Sequence, residues 1–462
     1  MHDTIHGLFS PESIALYGIP RGLKAGKVFF LGLLDQGFQG PIYLIHPSAT
    51  EIDGYKAYPN LDQVPGPVDL VIIMSPRETV FDVLEECARK QVKAVILYTS
   101  GFSELGGVAG RDDETRMRRI AHKAGFLILG PNCMGIYSPG SRIAPFPGMP
   151  KTSGKLGFVS QSGSLVNMFV NLCSAKVLFF SHVVSSGNGA DIEPADLLEW
   201  MGRDEQTKVI CTYCEGVREM GRLIDALRET TPQKPVIMWK VGLTKTGSRA
   251  AASHTGALTG QAELWKSLFR QFHILDVCDI EEMCDLAMAF YHMSPGGEGR
   301  VAIVSGPGGP AVSAADSVER NGLVMASLGR ESIRRLKELL PPTGTSCSNP
   351  IDVGLGASFD IRLYQEALEI IMDDPEVDCV VMLGGGASEE MSADYVQGII
   401  RAHERSSKHM IAIAYPGFVQ IDQAGLLKPL HEHGIPVYPT PERALRTYAR
   451  MMGYYRFQAS RV

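Results

Sequence analysis

Three features that the sequence lacks limit the classes of protein to which it can belong. The longest apolar runs, such as residues 28–34, are far shorter than the roughly 20 residues of a membrane-spanning helix. Positive charge is not in excess, because 51 acidic residues outnumber 44 Lys and Arg, and this argues against nucleic acid as a partner. The first residues show no charged-then-apolar leader. We therefore expect a cytoplasmic protein that has neither a membrane nor a nucleic-acid partner.

Metal-binding and redox motifs are also scarce. The motif HExxH does not occur, and His431-Glu432-His433 has no further ligands beside it, so we predict that this chain holds no metal. Nine scattered cysteines are typical of reduced thiols in a cytoplasm. Cys211 and Cys214 have the spacing of a C-x-x-C motif, but residues three apart on a strand point to opposite faces. We interpret them as core residues.

The chain does have the composition and pattern of a globular α/β protein. Of its 462 residues, 45% are hydrophobic and 21% charged, which is ordinary for a soluble enzyme. Short apolar strands alternate with helical segments, and this predicts parallel sheets with helices on both faces. The pattern restarts after two linkers rich in Pro and Gly, residues 146–154 and 294–299. We therefore predict three doubly wound units, over residues 1–147, 151–294 and 299–462.

Glycine, proline, small residues and basic side chains follow the predicted strands of the first unit. Ligands bind beyond the carboxyl ends of the strands in such sheets, so these residues are candidates for contact with a nucleotide and its phosphates. They are Gly18, Pro20, Arg21, His46, Ser75, Pro76, Ser100, Gly101, Asn132 and Cys133. A dinucleotide is disfavoured, because Gly18 is not followed by G-x-x-G and the second strand ends in His46-Pro47 rather than in an acidic residue.

Two later turns lie where a helix start could bind an anion. In the second unit, the turn Gln161, Ser162, Gly163 and Ser164 precedes a helix predicted from Leu165. In the third unit, Gly308 and Gly309 precede a helix predicted over residues 311–320. Free N–H groups and the helix dipole favour phosphate at such a position. A plain serine-capped turn is the alternative for the first of the two.

His254 is the candidate for a covalently modified side chain. It lies among small residues in RAAASHTGALTG, residues 249–260, so nothing bulky shields its imidazole. Glu215 follows the predicted strand over residues 208–213, and a carboxylate there can orient an imidazole and stabilise its cation. Each has an ordinary alternative when taken alone: a surface histidine in a capped turn, and a solvated acid in a turn.

The order of these motifs resembles that of the alpha subunits of ADP-forming acetyl-CoA synthetases. These are NDP-forming acyl-CoA synthetases and are related to the succinyl-CoA synthetase alpha chain. The resemblance covers essentially the whole chain, and each motif is weak alone but the set is specific. The segments are FSPESI at 9–14, GPNC at 130–133, VSQSG at 159–163, YCEG at 213–216, ASHTGA at 252–257, GGP at 308–310 and NPIDV at 349–353.

The resemblance implies a Rossmann-like domain that binds coenzyme A, followed by two flavodoxin-like domains. It also implies an acid–CoA ligase that acts on a small carboxylic acid. Acyl-CoA and phosphate would give acyl phosphate and CoA, the phosphoryl group would pass to His254, and ADP would then receive it; ATP would drive the reverse direction. Glu215 would orient the histidine, and the two helix starts would hold the phosphoryl group.

An ATP-grasp domain is missing from the sequence, which has neither its glycine-rich hairpin nor its metal-binding carboxylates. The resemblance therefore implies a separate ATP-grasp beta subunit, in a heterodimer or heterotetramer, which would hold ATP or ADP and Mg²⁺. One alternative is a non-catalytic CoA-binding subunit or acyl-CoA sensor, although such a protein would need neither His254 nor Glu215. A relative of protein acetyltransferases would need a further fused domain, for which we find no residues.

Three positions depart from the pattern of the family. Ile19-Pro20 is bulkier than the usual small residues, and His46 stands where asparagine is common. Residues 305–310 read SGPGGP rather than the commoner NAGGP. Together these departures indicate altered contacts with CoA and an acid less usual than acetate.

Overall fold

The computed structural model describes residues 2–22, 24, 26–247, 262–415 and 423–461. The chain forms two compact units. The first comprises Met1–Ser174 and Leu178–Met283, and the second comprises Ala175–Val177 and Cys284–Val462. Among the described residues, no helix is both long enough and apolar enough to cross a membrane.

The first sheet of unit 1 has seven strands and is parallel except at one edge. Its strands, in spatial order, are Glu51–Ile52, Tyr55–Tyr58, Ile42–Ile45, Ile14–Tyr17, Leu70–Ile73, Ala94–Leu97 and Leu127–Leu129. Only Glu51–Ile52 runs antiparallel to its neighbour. The helices of this part are His2–Phe9, Lys27–Gln36, Val80–Lys90 and Val108–Ala124. The central strands are wholly buried, which explains why they are continuous apolar runs rather than alternating ones.

The second sheet of unit 1 has six strands. They are, in spatial order, Leu275–Asp276, Val236–Lys240, Val209–Cys214, Leu156–Ser160, Phe180–Ser185 and Gly135–Tyr137. The last strand is antiparallel to its neighbour and the others are parallel. The helices are Gly163–Ser174, Pro194–Arg203, Met220–Thr230 and Ala262–Phe272. Cys211 and Cys214 lie buried on one strand of this sheet as free thiols, so their interpretation as core residues is confirmed.

Unit 2 contains the third sheet. Its strands are Val324–Met325, Arg300–Ser305, Cys379–Leu383, His409–Ile413 and Val437–Tyr438, with Ile351–Asp352 paired to Arg300–Ser305. All are parallel. The helix Ile280–His292 belongs to this unit from Cys284 onward. The other helices are Gly308–Arg320, Arg330–Leu339, Ile361–Asp373, Glu389–Glu404, Gln423–Glu432 and Pro441–Ala459.

The predicted fold class, α/β with doubly wound parallel sheets, is confirmed. The predicted domain boundaries stay a prediction; the strand Gly135–Tyr137, which precedes residue 147, pairs within the second sheet. Two helices begin earlier than predicted, at Gly163 and at Gly308. Glycine and proline are poor helix formers in a helix interior. The first turn tolerates them because its N–H groups have no partner within the helix.

Candidate active site

A cavity of about 560 Å³ lies in unit 1, where residues that follow strands of both its sheets meet. Its lining is Met74, Ser75, Pro76, Tyr98, Thr99, Ser100, Asn132, Cys133, Met134, Gln161, Ser162, Gly163, Ser164 and Gly187. Nine of the residues predicted from sequence are therefore brought together: Ser75, Pro76, Ser100, Asn132, Cys133, Gln161, Ser162, Gly163 and Ser164. Gly18, Pro20, Arg21, His46, Gly101 and Glu215 are not among the lining residues.

Gly18 lies directly against the turn at Ser75. Its φ is +82°, and a Cβ there would come within 2.8 Å of the Cα and N atoms of Ser75. Only glycine fits this contact, since the conformation is left-handed and backbone fills the space. Thr99 lies in the turn after the strand Ala94–Leu97, and its Oγ1 donates to the Ser75 carbonyl at 2.6 Å. The strand ends at Gly18, Ser75 and Thr99 are thereby fixed to one another.

Arg21 and His46 lie at the outer part of the same edge. Arg21 donates from Nη2 to Ser48 Oγ at 3.2 Å, and the backbone N–H groups of Ser48 and Ala49 donate to His46 Nδ1 at 3.2 and 3.0 Å. Burial, and then the charge of Arg21, lower the pKa of His46, so the ring is neutral at pH 7. The bulky Ile19 is fully buried in the core, and its side chain therefore leaves the turn open to a ligand.

Asn132 and Cys133 form the turn after the strand Leu127–Leu129. Asn132 adopts a left-handed φ of +57°, and its N–H donates to the Thr99 carbonyl at 3.1 Å. Cys133 is buried, with its Sγ 3.5 Å from the Leu97 carbonyl oxygen. Burial raises the pKa of this thiol to about 12. Cys133 is therefore protonated at neutral pH and is not a nucleophile.

The start of the helix Gly163–Ser174 forms another wall of the cavity. The Ser160 hydroxyl accepts from the N–H of Ser162 at 3.1 Å and donates to its carbonyl at 2.7 Å, which fixes the turn before the helix. A Cβ on Gly163 would lie 2.4 Å from Met134 Cγ, so the helix start packs closely on Met134. The first N–H groups of a helix have no partner within it, and here they adjoin the cavity.

Gln161 has a role that the sequence did not indicate. Its Oε1 accepts from the N–H groups of Glu215 and Gly216, at 2.5 and 3.0 Å, and its Nε2 donates to the Gly216 carbonyl at 2.9 Å. The Gln161 amide therefore holds the turn at Glu215 against the turn that begins the helix. Its predicted contact with phosphate stays a prediction.

Glu215 is buried, with 4% of its surface exposed, so it is not the solvated turn acid of the ordinary alternative. Burial raises the pKa of Tyr213, and the charge of Glu215 and a hydrogen bond to its side chain raise it further. The Tyr213 hydroxyl therefore stays protonated and bonds the carboxylate. A carboxylate held in one orientation can accept a hydrogen bond from an imidazole and so orient the ring.

Lys240 is a buried cation that the sequence analysis missed. Its Nζ donates to the carbonyls of Glu215 at 2.8 Å and Val241 at 2.5 Å, and it lies 4.9 Å from the centre of the Trp265 ring. Burial lowers the pKa of Lys240, while Cys214 and Glu215 oppose that shift. The sequence did contain a signal for this residue, because a lysine ends the otherwise apolar strand Val236–Lys240.

The remaining predicted residues are not part of this geometry. His254 lies outside the described residues, which stop at Gly247 and resume at Ala262. In unit 2, Gly308 begins the helix Gly308–Arg320, and a Cβ on it would lie 3.2 Å from Asp352 Oδ2. Among the residues that the structure describes, no group of three or more His, Cys, Asp or Glu side chains could hold a metal ion.

Two family models match the chain. A CoA binding domain matches residues 12–139, and a succinyl-CoA ligase like flavodoxin domain matches residues 153–290. These ranges contain all the predicted CoA contacts, Glu215 and His254. The match covers both sheets that supply the lining of the cavity.

Similar proteins and structures extend the match over almost the whole chain. The alpha subunit of the ADP-forming acetate–CoA ligase II of Pyrococcus furiosus is 36% identical over 94% of each chain, and that of its ligase I is 33% identical over 99% of each. The dinucleotide forming acetyl-coenzyme A synthetase 1 of Ca. Korarchaeum cryptofilum, in complex with phosphate and ADP, superposes with a TM-score of 0.88 at 30% identity, covering 99% of this chain and 98% of that one. The chain belongs to the family of ADP-forming acyl-CoA ligase alpha subunits.

Proposed function

We propose that this chain, with a partner, interconverts acyl-CoA, ADP and phosphate with a carboxylic acid, CoA and ATP. The observation that carries the proposal is the cavity of unit 1, where turns of the CoA-binding part and the helix start at Gly163 line one space. Acyl phosphate can form only where a phosphate can reach a thioester carbonyl. The cavity is lined by Ser75, Ser100 and Asn132 of the predicted CoA site and by Gly163 and Ser164 of the predicted phosphate site, so it can hold the two groups side by side.

In the first step, a phosphate oxygen attacks the thioester carbonyl. The carbon–sulfur bond breaks, and CoA leaves as a thiolate that takes up a proton. The N–H groups at Gly163 and Ser164 bind the phosphate, because a helix start offers free donors and a favourable dipole. These donors are fixed before the reaction by the bonds of Ser160 to Ser162, as electrostatic stabilisation of the transition state requires.

In the second step, an imidazole nitrogen of His254 attacks the phosphorus of the acyl phosphate, the bond from phosphorus to the acyl oxygen breaks, and the carboxylate leaves. Glu215 orients the ring and stabilises the cation that forms, because the carboxylate is buried and its turn is held by Gln161 and Lys240. ADP then takes the phosphoryl group from the histidine. Gly308 and Gly309, at a helix start of unit 2, are proposed as further phosphate ligands.

We place ADP, ATP and Mg²⁺ on a separate ATP-grasp beta subunit. The two Pyrococcus furiosus proteins, which match this chain nearly end to end, are themselves named subunits alpha. An ADP-forming acetate–CoA ligase of Archaeoglobus fulgidus that is 31% identical is longer, and this chain covers 64% of it. The additional length of that protein is where a fused partner domain would lie. We place the complex in the cytoplasm, in keeping with nine free cysteines.

The test is an assay of the complex of this chain with its co-expressed partner. A panel of acyl-CoA esters, ADP and phosphate should yield ATP and free CoA thiol in equal amounts, and the His254→Ala variant should yield no ATP. If the complex binds CoA but turns over no ester in the panel, the chain is a CoA-binding subunit or sensor and the proposal fails. The same panel identifies the acid.

A further inference from the structure

Asn188 lies at the centre of a buried polar network beside the cavity. It follows Gly187, which lines the cavity, and it is 6% exposed. We propose that Asn188 is a positioning residue that couples the CoA-binding turns to the turn at Glu215. This inference rests on the function proposed above, since it assigns a role in that reaction.

The first link joins Asn188 to the turn at Asn132. The N–H of Asn188 donates to the Pro131 carbonyl at 3.0 Å, and its Oδ1 accepts from Asn132 Nδ2 at 3.3 Å. Gly187 permits this approach, because a Cβ there would lie 2.2 Å from the Pro131 carbonyl oxygen. A loop of the second sheet is thereby fixed to a turn of the first.

The second link runs to the turn at Ser100 and Gly101. Asn188 Nδ2 donates to Glu104 Oε2 at 2.6 Å and to Glu114 Oε1 at 2.8 Å. Glu104 in turn accepts from the N–H groups of Gly101 and, at 3.0 Å, Phe102. Two carboxylates therefore share one amide, and one of them fixes the backbone of the predicted CoA-binding turn.

The third link runs to Glu215. Arg218 donates from Nη2 to the Asn188 carbonyl at 3.2 Å and forms an ion pair with Glu114. Arg218 lies three residues after Glu215 in the chain. Between them, the carbonyl of Gly216 accepts a hydrogen bond from Gln161 Nε2. All the polar groups of Asn188 thus have partners. Pro131, Asn132 and Glu104 belong to or bind turns of the predicted CoA site, and Arg218 follows the turn at Glu215. Glu114, on the helix Val108–Ala124, pairs with Arg218.

An amide is the side chain that this position requires. Nδ2 faces two carboxylates and must donate, whereas Oδ1 faces the donor amide of Asn132 and must accept. An aspartate of the same shape would place a third negative charge beside Glu104 and Glu114. It would also lose both donated hydrogen bonds. The turns would remain folded by their own hydrogen bonds, but their relative placement would change.

The test compares Asn188→Asp with Asn171→Asp in the complex with the partner subunit. Asn171 is an exposed amide on the helix Gly163–Ser174, so its replacement makes the same chemical change away from the network. A displacement of about 1 Å can lower a rate by roughly 10²-fold. We therefore expect Asn188→Asp to lower kcat for acyl-CoA-dependent ATP formation by about 10- to 100-fold. The same variant should raise the KM for CoA in the reverse reaction. Asn171→Asp should match the unmodified protein.

A second measurement separates positioning from loss of folded protein. ATP formation from added acyl phosphate and ADP needs no CoA, so Asn188→Asp should lower it less than the CoA-dependent reaction. Equal losses in both reactions, or no loss in either, would overturn the proposal. Asn188→Ser, smaller and uncharged, should act in the same direction; if both variants unfold, Asn188 is a folding residue and the proposal is wrong. An inactive unmodified complex would instead refute the proposed function.

Discussion

At the scale of single residues, the position of Glu215 depends on the neighbouring Tyr213 and on two side chains distant in sequence, Gln161 and Lys240. The side chain of Gln161 accepts from the N–H groups of Glu215 and Gly216, and Lys240 donates to the Glu215 carbonyl. The Tyr213 hydroxyl bonds the Glu215 carboxylate. A buried carboxylate is costly unless it is hydrogen-bonded or paired. The structure meets that requirement and leaves the acid with a fixed orientation.

The acid itself can be tested by replacing Glu215 with Gln. This change keeps the shape and removes the charge, so the imidazole loses the group that stabilises its cation. We expect CoA affinity to be unchanged and turnover to fall by roughly 10²-fold or more, the scale of losing one acid–base partner. Isothermal titration with CoA and steady-state kinetics measure the two effects. Unchanged turnover would show that Glu215 is only a turn residue.

Lys240 can be tested with Lys240→Met, which keeps the aliphatic length and removes the donors. The carbonyls of Glu215 and Val241 would lose buried hydrogen bonds, which costs about 1–3 kcal/mol. We expect a lower free energy of unfolding in urea and slower turnover. Lys208→Met, at an exposed lysine in the same part of the chain, is the control and should have little effect. Equal stability of the two variants would contradict the assigned contacts.

At the scale of elements, the alternation of strands and helices was readable because the central strands are buried on both faces and form continuous apolar runs. The edge hairpin Glu51–Ile52 and Tyr55–Tyr58 was missed, since half of its strand residues are exposed and it therefore contains no apolar run. The turns that line the cavity were predicted from their small residues. The network around Asn188 and the amide bonds of Gln161 were not predicted, because most of their hydrogen bonds join residues more than 50 positions apart.

The first strand–turn–helix element can be tested with Gly18→Ala. The added Cβ would meet the Ser75 backbone at 2.8 Å, in a left-handed conformation, and such a misfit destabilises by more than about 1 kcal/mol. We expect a lower melting temperature and weaker CoA binding. Gly125→Ala shares the left-handed φ but meets nothing within 4 Å, so it should be milder and should leave CoA binding intact. Equal CoA affinity in the two variants would exclude Gly18 from the CoA site.

At the scale of the whole molecule, the chain contains the residues that we propose for the CoA side of the reaction. The cavity, the helix start at Gly163 and Glu215 lie in unit 1, and His254 belongs to the same stretch of sequence. The nucleotide site is the part that we assign to the partner.

This division predicts that the purified chain alone consumes no ATP with any acid and CoA. Adding the co-expressed ATP-grasp chain should restore consumption. Thioester formation and ADP release measure it, with the His254→Ala complex as the background. Vigorous ATP-dependent thioester formation by the lone chain would refute the separate partner.

The central claim is that His254 carries the phosphoryl group, and radiolabelled phosphate tests it most directly. The chain is incubated with labelled phosphate and the acyl-CoA that the panel identifies. Label should appear on His254, be lost in acid and survive base, as a phosphorus–nitrogen bond requires. The partner and ADP should then convert it to labelled ATP. His254→Ala should take up none; label on that variant, or label that resists acid, would contradict the account.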